Sequence, residues 1–85
     1  MKEFTYTISA ADGIHARPAG LLVKEAGKHR SDIILRLGEK EGDAKRIFSV
    51  MSLGVRCGQT ITVTVAGEDE ETAAKAREEF LKENL

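Results

Sequence analysis

Residues 60–66, TITVTVA, alternate strictly between small polar or alanine positions and branched aliphatics. Successive side chains of an extended strand point to opposite faces, so this stretch is a strand with one buried face and one wet face. All-parallel sheets are thereby excluded, because their strands are buried on both sides and read as continuous apolar runs. The dry face of such a sheet has to be covered, and helices are the available cover.

The remainder of the chain supplies matching parts. Phe4, Tyr6 and Ile8 alternate with Thr5 and Thr7, a second strand. Residues 11–14, ADGI, form a turn. Ala16, Ala19, Leu22, Val23 and Ala26 then recur at helical spacing to about residue 28, and HRSD (29–32) breaks the pattern. Ile33, Leu35 and Leu37 make a third strand, and GEKEGD (38–43) turns into a short polar edge strand. In RIFSVMSL (46–53), Ile47, Val50, Met51 and Leu53 fit a short helix ended by Gly54. Gly67 closes the 60–66 strand, and Asp69 is placed to cap a last helix through about residue 84. Its inward residues are expected to be Ala73, Ala76, Phe80 and Leu81. The order βαββαβα predicts one α+β domain over residues 1–85, a two-layer open-faced sandwich.

A chain of 85 residues has little room for a deep cavity, so any chemistry is expected near the surface. Thirteen basic and fourteen acidic side chains leave a net charge of -1, which supplies no bulk field for nucleic acid. No apolar run approaches the ~20 residues of a membrane span, and MKEFTYTISA lacks the apolar stretch of a signal peptide. A cytoplasmic monomer without membrane insertion is the expectation. Cys57 is the only cysteine, so neither an internal disulfide nor a cysteine-based metal cluster is expected.

Chemistry concentrates in GIHARPAG, residues 13–20. If the first helix starts at Ala16, His15 is its N-cap, and the amides of Ala16 and Arg17 have no intrahelical partner. Pro18 has no N–H to offer, but its fixed φ suits a first helical turn. An imidazole, two free amides, the positive end of a helix dipole and a guanidinium thus gather at one place. Together they make an anion site with a nucleophile inside it. An uncharged imidazole can attack phosphorus through a ring nitrogen, and the amides and Arg17 can hold the resulting dianion. The alternative is an ordinary surface histidine that weakly caps a helix.

GIHARPAG resembles the phosphorylation-site signature of the HPr family, histidine-containing phosphocarriers of the bacterial sugar phosphotransferase system. RIFSVMSLGVRCGQTITV and GEDEETAAKAREEF resemble that family's second segment and closing helix, in the same order and without gaps. The resemblance implies a four-stranded antiparallel sheet with three helices on one face. It implies that His15 takes a phosphoryl group on Nδ1 from phosphorylated enzyme I and passes it to enzyme IIA. By the same resemblance Arg17 steadies the group, Pro18 shapes the helix start, and no metal or organic cofactor is needed. Such a chain is a carrier in a relay, not an independent enzyme.

The segment around Ile47, Phe48 and Met51 is implied to dock on enzyme I; the competing reading of the residues is that all three belong to the core, with the two readings equal for Phe48. Leu21, Lys24 and Lys28 belong to the same expected surface, with Arg17, Lys45 and Arg46 completing a basic rim. Read without the family, those charges are a solvated helix face. Many relatives carry a regulatory serine directly after the lysine that matches Lys45; here the position is Arg46, which has no hydroxyl. Ser49 and Ser52 occupy other places in the pattern. His29 reads as a surface residue at a helix end and Cys57 as an inert, partly exposed thiol. A regulatory module that acts by docking alone is the competing function, and the intact His15, Arg17 and Pro18 weigh against it. The absence of an aromatic platform on the sheet weighs against RNA binding.

Overall fold

The computed structural model describes residues 1–85. Its elements are β1 (Lys2–Thr7), α1 (Ala16–Ala26), β2 (Asp32–Leu37), β3 (Lys40–Asp43), α2 (Ile47–Met51), β4 (Thr60–Ala66) and α3 (Glu70–Asn84). The four strands form one antiparallel sheet in the order β1-β4-β2-β3. The alternating segment β4 is therefore central. Ile61, Val63 and Val65 face the helices and are fully buried, while Thr62 and Thr64 lie on the open side. Register keeps like with like: Phe4 and Leu35 flank Val63, and Tyr6 pairs with Ile61. On the open face Thr7 and Thr60 are paired, their hydroxyls 2.7 Å apart.

The helices cover the opposite face, with Ala19, Leu22 and Ala26 of α1, Val50 of α2, and Ala73 and Leu81 of α3 joining the core. Two expectations about inward residues need correction. Ala16 is exposed, because it is the first residue of α1 and stands ahead of the buried Pro18 and Ala19. On α3 the innermost positions are Ala73, Arg77 and Leu81, with Ala76 and Phe80 only half-buried. Arg77 is 2% exposed; its stem packs inward, its Nη1 reaches the Leu22 carbonyl at 3.5 Å, and its Nε has no partner.

Asp69 does precede α3, but its carboxylate makes no bond to that helix. It accepts instead from the Arg30 amide at 3.0 Å, the Ser31 amide at 2.9 Å and the Ser31 hydroxyl. The start of α3 is thereby tied to the loop between α1 and β2. His29 belongs to the same junction, with Nδ1 3.4 Å from the Asp69 carboxylate; it is half-buried, not the surface residue expected. α2 is also shorter than the 46–53 pattern. After Met51 the bonds shift to Leu53 N–H on the Val50 carbonyl and Gly54 N–H on the Met51 carbonyl, a tightened final turn ending at Gly54, φ +62°.

Candidate functional site

The approach to His15 is fixed by backbone. Gly13 has φ +64°, donates to the Ala10 carbonyl at 2.9 Å, and lies so close to the 55–56 segment that a Cβ would collide with the Val55 carbonyl. Ile14 donates to that same carbonyl at 3.1 Å, and its side chain is buried. His15 follows with extended angles, φ -95° and ψ -175°, as the N-cap of α1. Its carbonyl accepts from the Ala19 amide at 3.0 Å, the first bond of the helix. The Ala16 and Arg17 amides lie outside that ladder, as the sequence suggests. The imidazole makes no capping bond and is left free.

Pro18 is buried while His15, Ala16 and Arg17 are exposed, so a rigid anchor underlies three solvent-facing residues. No acidic side chain occupies the first turn of α1. His15, Arg17, Pro18 and Leu21 line one shallow cavity of about 320 Å³, together with Ala10 and Asn84. Sequence reasoning missed the last two. Ala10 and Asn84 carry no local pattern of their own and reach His15 only through tertiary packing.

The residues expected to dock on a partner divide into three groups. Leu21, Phe48 and Met51 are exposed, Phe48 at 83%, and of the three Leu21 lines the cavity. Ile47 is half-buried; its Cδ1 lies 3.8 Å from where a Cβ on Gly20 would stand, so it serves the α1–α2 contact. Among the rim cations, Lys28 pairs with Glu25 at 3.0 Å and Lys45 donates to the His29 carbonyl at 2.8 Å. The Lys28 hydrogen bond holds the Glu25 carboxyl below its ordinary range. Arg17, Lys24 and Arg46 make no ion pair and form the free part of the rim.

Arg46 is the exposed N-cap of α2. The Ser49 hydroxyl accepts from the Asp43 amide at 2.8 Å, and the Ser52 hydroxyl donates to the Ser49 carbonyl at 2.8 Å. Cys57 is exposed, its Sγ 3.6 Å from the Ser9 carbonyl. No set of three or more His, Cys, Asp or Glu side chains converges to hold a metal ion, and no helix is long and apolar enough to cross a membrane.

Comparison with known proteins places the chain in a family and supports its fold. The family described as the PTS HPr component phosphorylation site matches residues 2–83. The phosphocarrier protein HPr of Mycoplasma genitalium is 41% identical over 85 residues, covering 99% of this chain and 97% of that protein. The solved structure of a Mycoplasma histidine-containing phosphocarrier protein superimposes with TM-score 0.93 at 35% identity, covering 96% of this chain and 93% of that one. An HPr structure from Thermoanaerobacter tengcongensis gives TM-score 0.92 at 41% identity, with 96% and 92% covered. Sequence, sheet order and the exposed histidine at a helix start thus converge, and the chain belongs to the HPr family, the phosphocarrier proteins of the phosphotransferase system.

Proposed function

We propose that the chain is a cytoplasmic, monomeric carrier that takes a phosphoryl group onto His15 from phosphorylated enzyme I and gives it to an enzyme IIA. The observation that carries this reading is the uncommitted His15 ring at the N-cap of α1, in one cavity with Arg17. The His15 Nδ1 lone pair forms a bond to phosphorus as the donor's bond to phosphorus breaks, and that electron pair returns to the donor. The proton on Nε2 stays in place, so the product is a phosphoimidazolium that remains a good leaving group. In the second step an acceptor nitrogen attacks, and the His15–phosphorus bond electrons return to Nδ1. The transition state is loose, so the protein's contribution is position and charge. The Ala16 and Arg17 amides and the Arg17 guanidinium meet the equatorial oxygens, and Pro18 holds the turn.

Enzyme I docks on Leu21, Phe48 and Met51, guided by Arg17, Lys24 and Arg46, with Lys28 and Ile47 at the margin. Such an interface has to be small enough to release. Arg46 leaves this relay without the serine switch of many relatives, and adds a cation at the docking edge instead.

The decisive experiment supplies enzyme I, magnesium and labelled phosphoenolpyruvate. The expected product is acid-labile, alkali-stable label that is absent in His15→Ala. A competent enzyme I that leaves the chain unlabelled would overturn the reading. The same protein, given ATP and an HPr kinase, is expected to take no phosphate on Ser49 or Ser52; stoichiometric phosphoserine at either would show that the switch had moved.

A further inference from the structure

The groove between α1 and α3 has a chemistry unlike that of the His15 cavity. Its volume is about 390 Å³, and Leu21, Phe80 and three carboxylates, Glu25, Glu79 and Glu83, line it. Glu25 is held by Lys28 at 3.0 Å, whereas Glu79 and Glu83 make no ion pair. They stand four residues apart on one helix, where like charges are neighbours and repel. Leu21 is exposed and Phe80 half-buried, so apolar surface accompanies the charges.

Among the carboxylates lies a donor. Arg77 lines the same groove although only 2% of it is exposed, so it belongs to the floor. Its Nη1 reaches the Leu22 carbonyl at 3.5 Å, the limit of a hydrogen bond, and its Nε has no acceptor. A buried N–H without an acceptor is rare in a folded protein, because its lost hydration is not repaid. Burial disfavours the charge of this guanidinium, and Glu25 favours it. The Phe80 ring, 5.8 Å away, offers only a π face. The groove thus lacks two things: cations for its glutamates and a hydrogen-bond acceptor for its floor.

We infer that the α1–α3 groove docks a basic, partly apolar peptide segment of another protein. Lysine or arginine side chains of that segment pair with Glu79 and Glu83, its apolar side chains cover Leu21 and Phe80, and one of its backbone carbonyls accepts from Arg77 Nε. An extended segment presents carbonyls and side chains together; a helix spends its carbonyls on its own ladder. A second copy of this chain would bring Arg17 and Lys24 on α1, so it supplies cations without the acceptor. Nucleic acid and acidic lipid are repelled by the carboxylates. The partner is opposite in charge to one that the free cations attract, and the inference stands apart from the carrier reading.

The test titrates the isotope-labelled chain, followed by NMR, with a short acetylated and amidated peptide in which lysines alternate with pairs of leucines. Saturable amide shifts are expected at Leu21, Glu25, Ala76 and Phe80, and the Arg77 Nε–H resonance is expected to move as it gains an acceptor. The double variant Glu79→Gln, Glu83→Gln is expected to bind about tenfold more weakly, the loss of two surface ion pairs. The spectrum of each variant reports its fold, and all the residues changed are exposed. Glu68→Gln with Glu71→Gln makes the same change in net charge at the start of α3, and is expected to stay within about twofold of the natural chain, because distant surface charges are screened. Spermidine, which offers ammonium groups on an apolar chain but no carbonyl, is expected to bind about tenfold more weakly than the peptide. Absence of saturation below about 1 mM peptide, equal weakening by the two double variants, spermidine binding as tightly as the peptide, or an unmoved Arg77 Nε–H would each overturn the inference. So would association of the chain with itself that Glu79→Gln, Glu83→Gln abolishes, which assigns the groove to a second copy.

Discussion

Gly13 sets the position of His15 more firmly than any residue of the exposed motif. Its φ of +64° is a region that L side chains rarely enter, and the Val55 carbonyl and Arg56 Cα occupy the space of a Cβ, the latter 2.8 Å away. Both obstacles are backbone, so neither can rotate aside. Gly13→Ala therefore costs the left-handed penalty of roughly 1–2 kcal/mol, plus a shift of the 13–14 and 55–56 segments. A total of about 3 kcal/mol is expected, at the upper end of single-residue effects. Denaturant unfolding measures it, with phosphoryl acceptance by His15 slowed in the protein that remains folded. A loss below about 0.5 kcal/mol, the level of an ordinary surface change, would show that the turn relaxes freely. The glycine turn was legible in the sequence, because a glycine before an N-cap is a local signal. The collision with Val55 was not, since it depends on a segment from the other side of the fold.

Among the elements, the junction of α1, β2 and α3 departs most from its sequence reading. Asp69 was expected to cap its own helix, a local role, and instead accepts three bonds from Arg30 and Ser31. The Ser31 hydroxyl, followed by the Arg30 and Ser31 amides and His29, holds the Asp69 carboxyl well below its ordinary range. A depressed folded-state pKa contributes stability above the unfolded value, near 3.9, which is lost as pH falls toward the folded value. The natural chain is thus expected to melt progressively lower as pH drops from about 5. Asp69→Asn should melt lower than the natural chain at pH 7 and show a shallower acid decline; parallel melting curves against pH would remove Asp69 from the acid response. Strands were easier to read than this junction, because period-two alternation is written locally in Thr60–Ala66 and Ile33–Leu37. Arg77 marks the other limit. The spacing Ala73, Arg77, Leu81 is helical, but an arginine does not announce itself as inward. Only packing shows that its stem fills that place, with the guanidinium 5.8 Å from the Phe80 ring centroid and burial lowering its pKa.

For the molecule as a whole, the two sides of the helical layer differ in charge. Leu21, Phe48 and Met51 are exposed and Arg17, Lys24 and Arg46 make no ion pair, whereas the α1–α3 groove carries three glutamates, Glu25, Glu79 and Glu83, against the one cation Arg77. On the proposed reading, a partner with an acidic, partly apolar surface is attracted by these unpaired cations and repelled by the groove's glutamates. Steering and adhesion fall to different residues. The cations act at long range and are screened by salt, so they govern encounter. Phe48, with 83% of its surface exposed, contributes little to the fold and has apolar area to bury against a partner. Phe48→Ala is accordingly expected to change unfolding stability by less than about 0.5 kcal/mol. Its KM for phosphorylation by enzyme I should rise about tenfold, the cost of losing ~1.4 kcal/mol at an aromatic anchor. That rise should persist at high salt, because the lost contact is apolar, while Arg46→Ala should raise KM at low salt and converge on the natural value as salt increases. Equal KM for Phe48→Ala and the natural chain would move the docking surface away from α2, leaving Phe48 as an exposed side chain with no part in the relay.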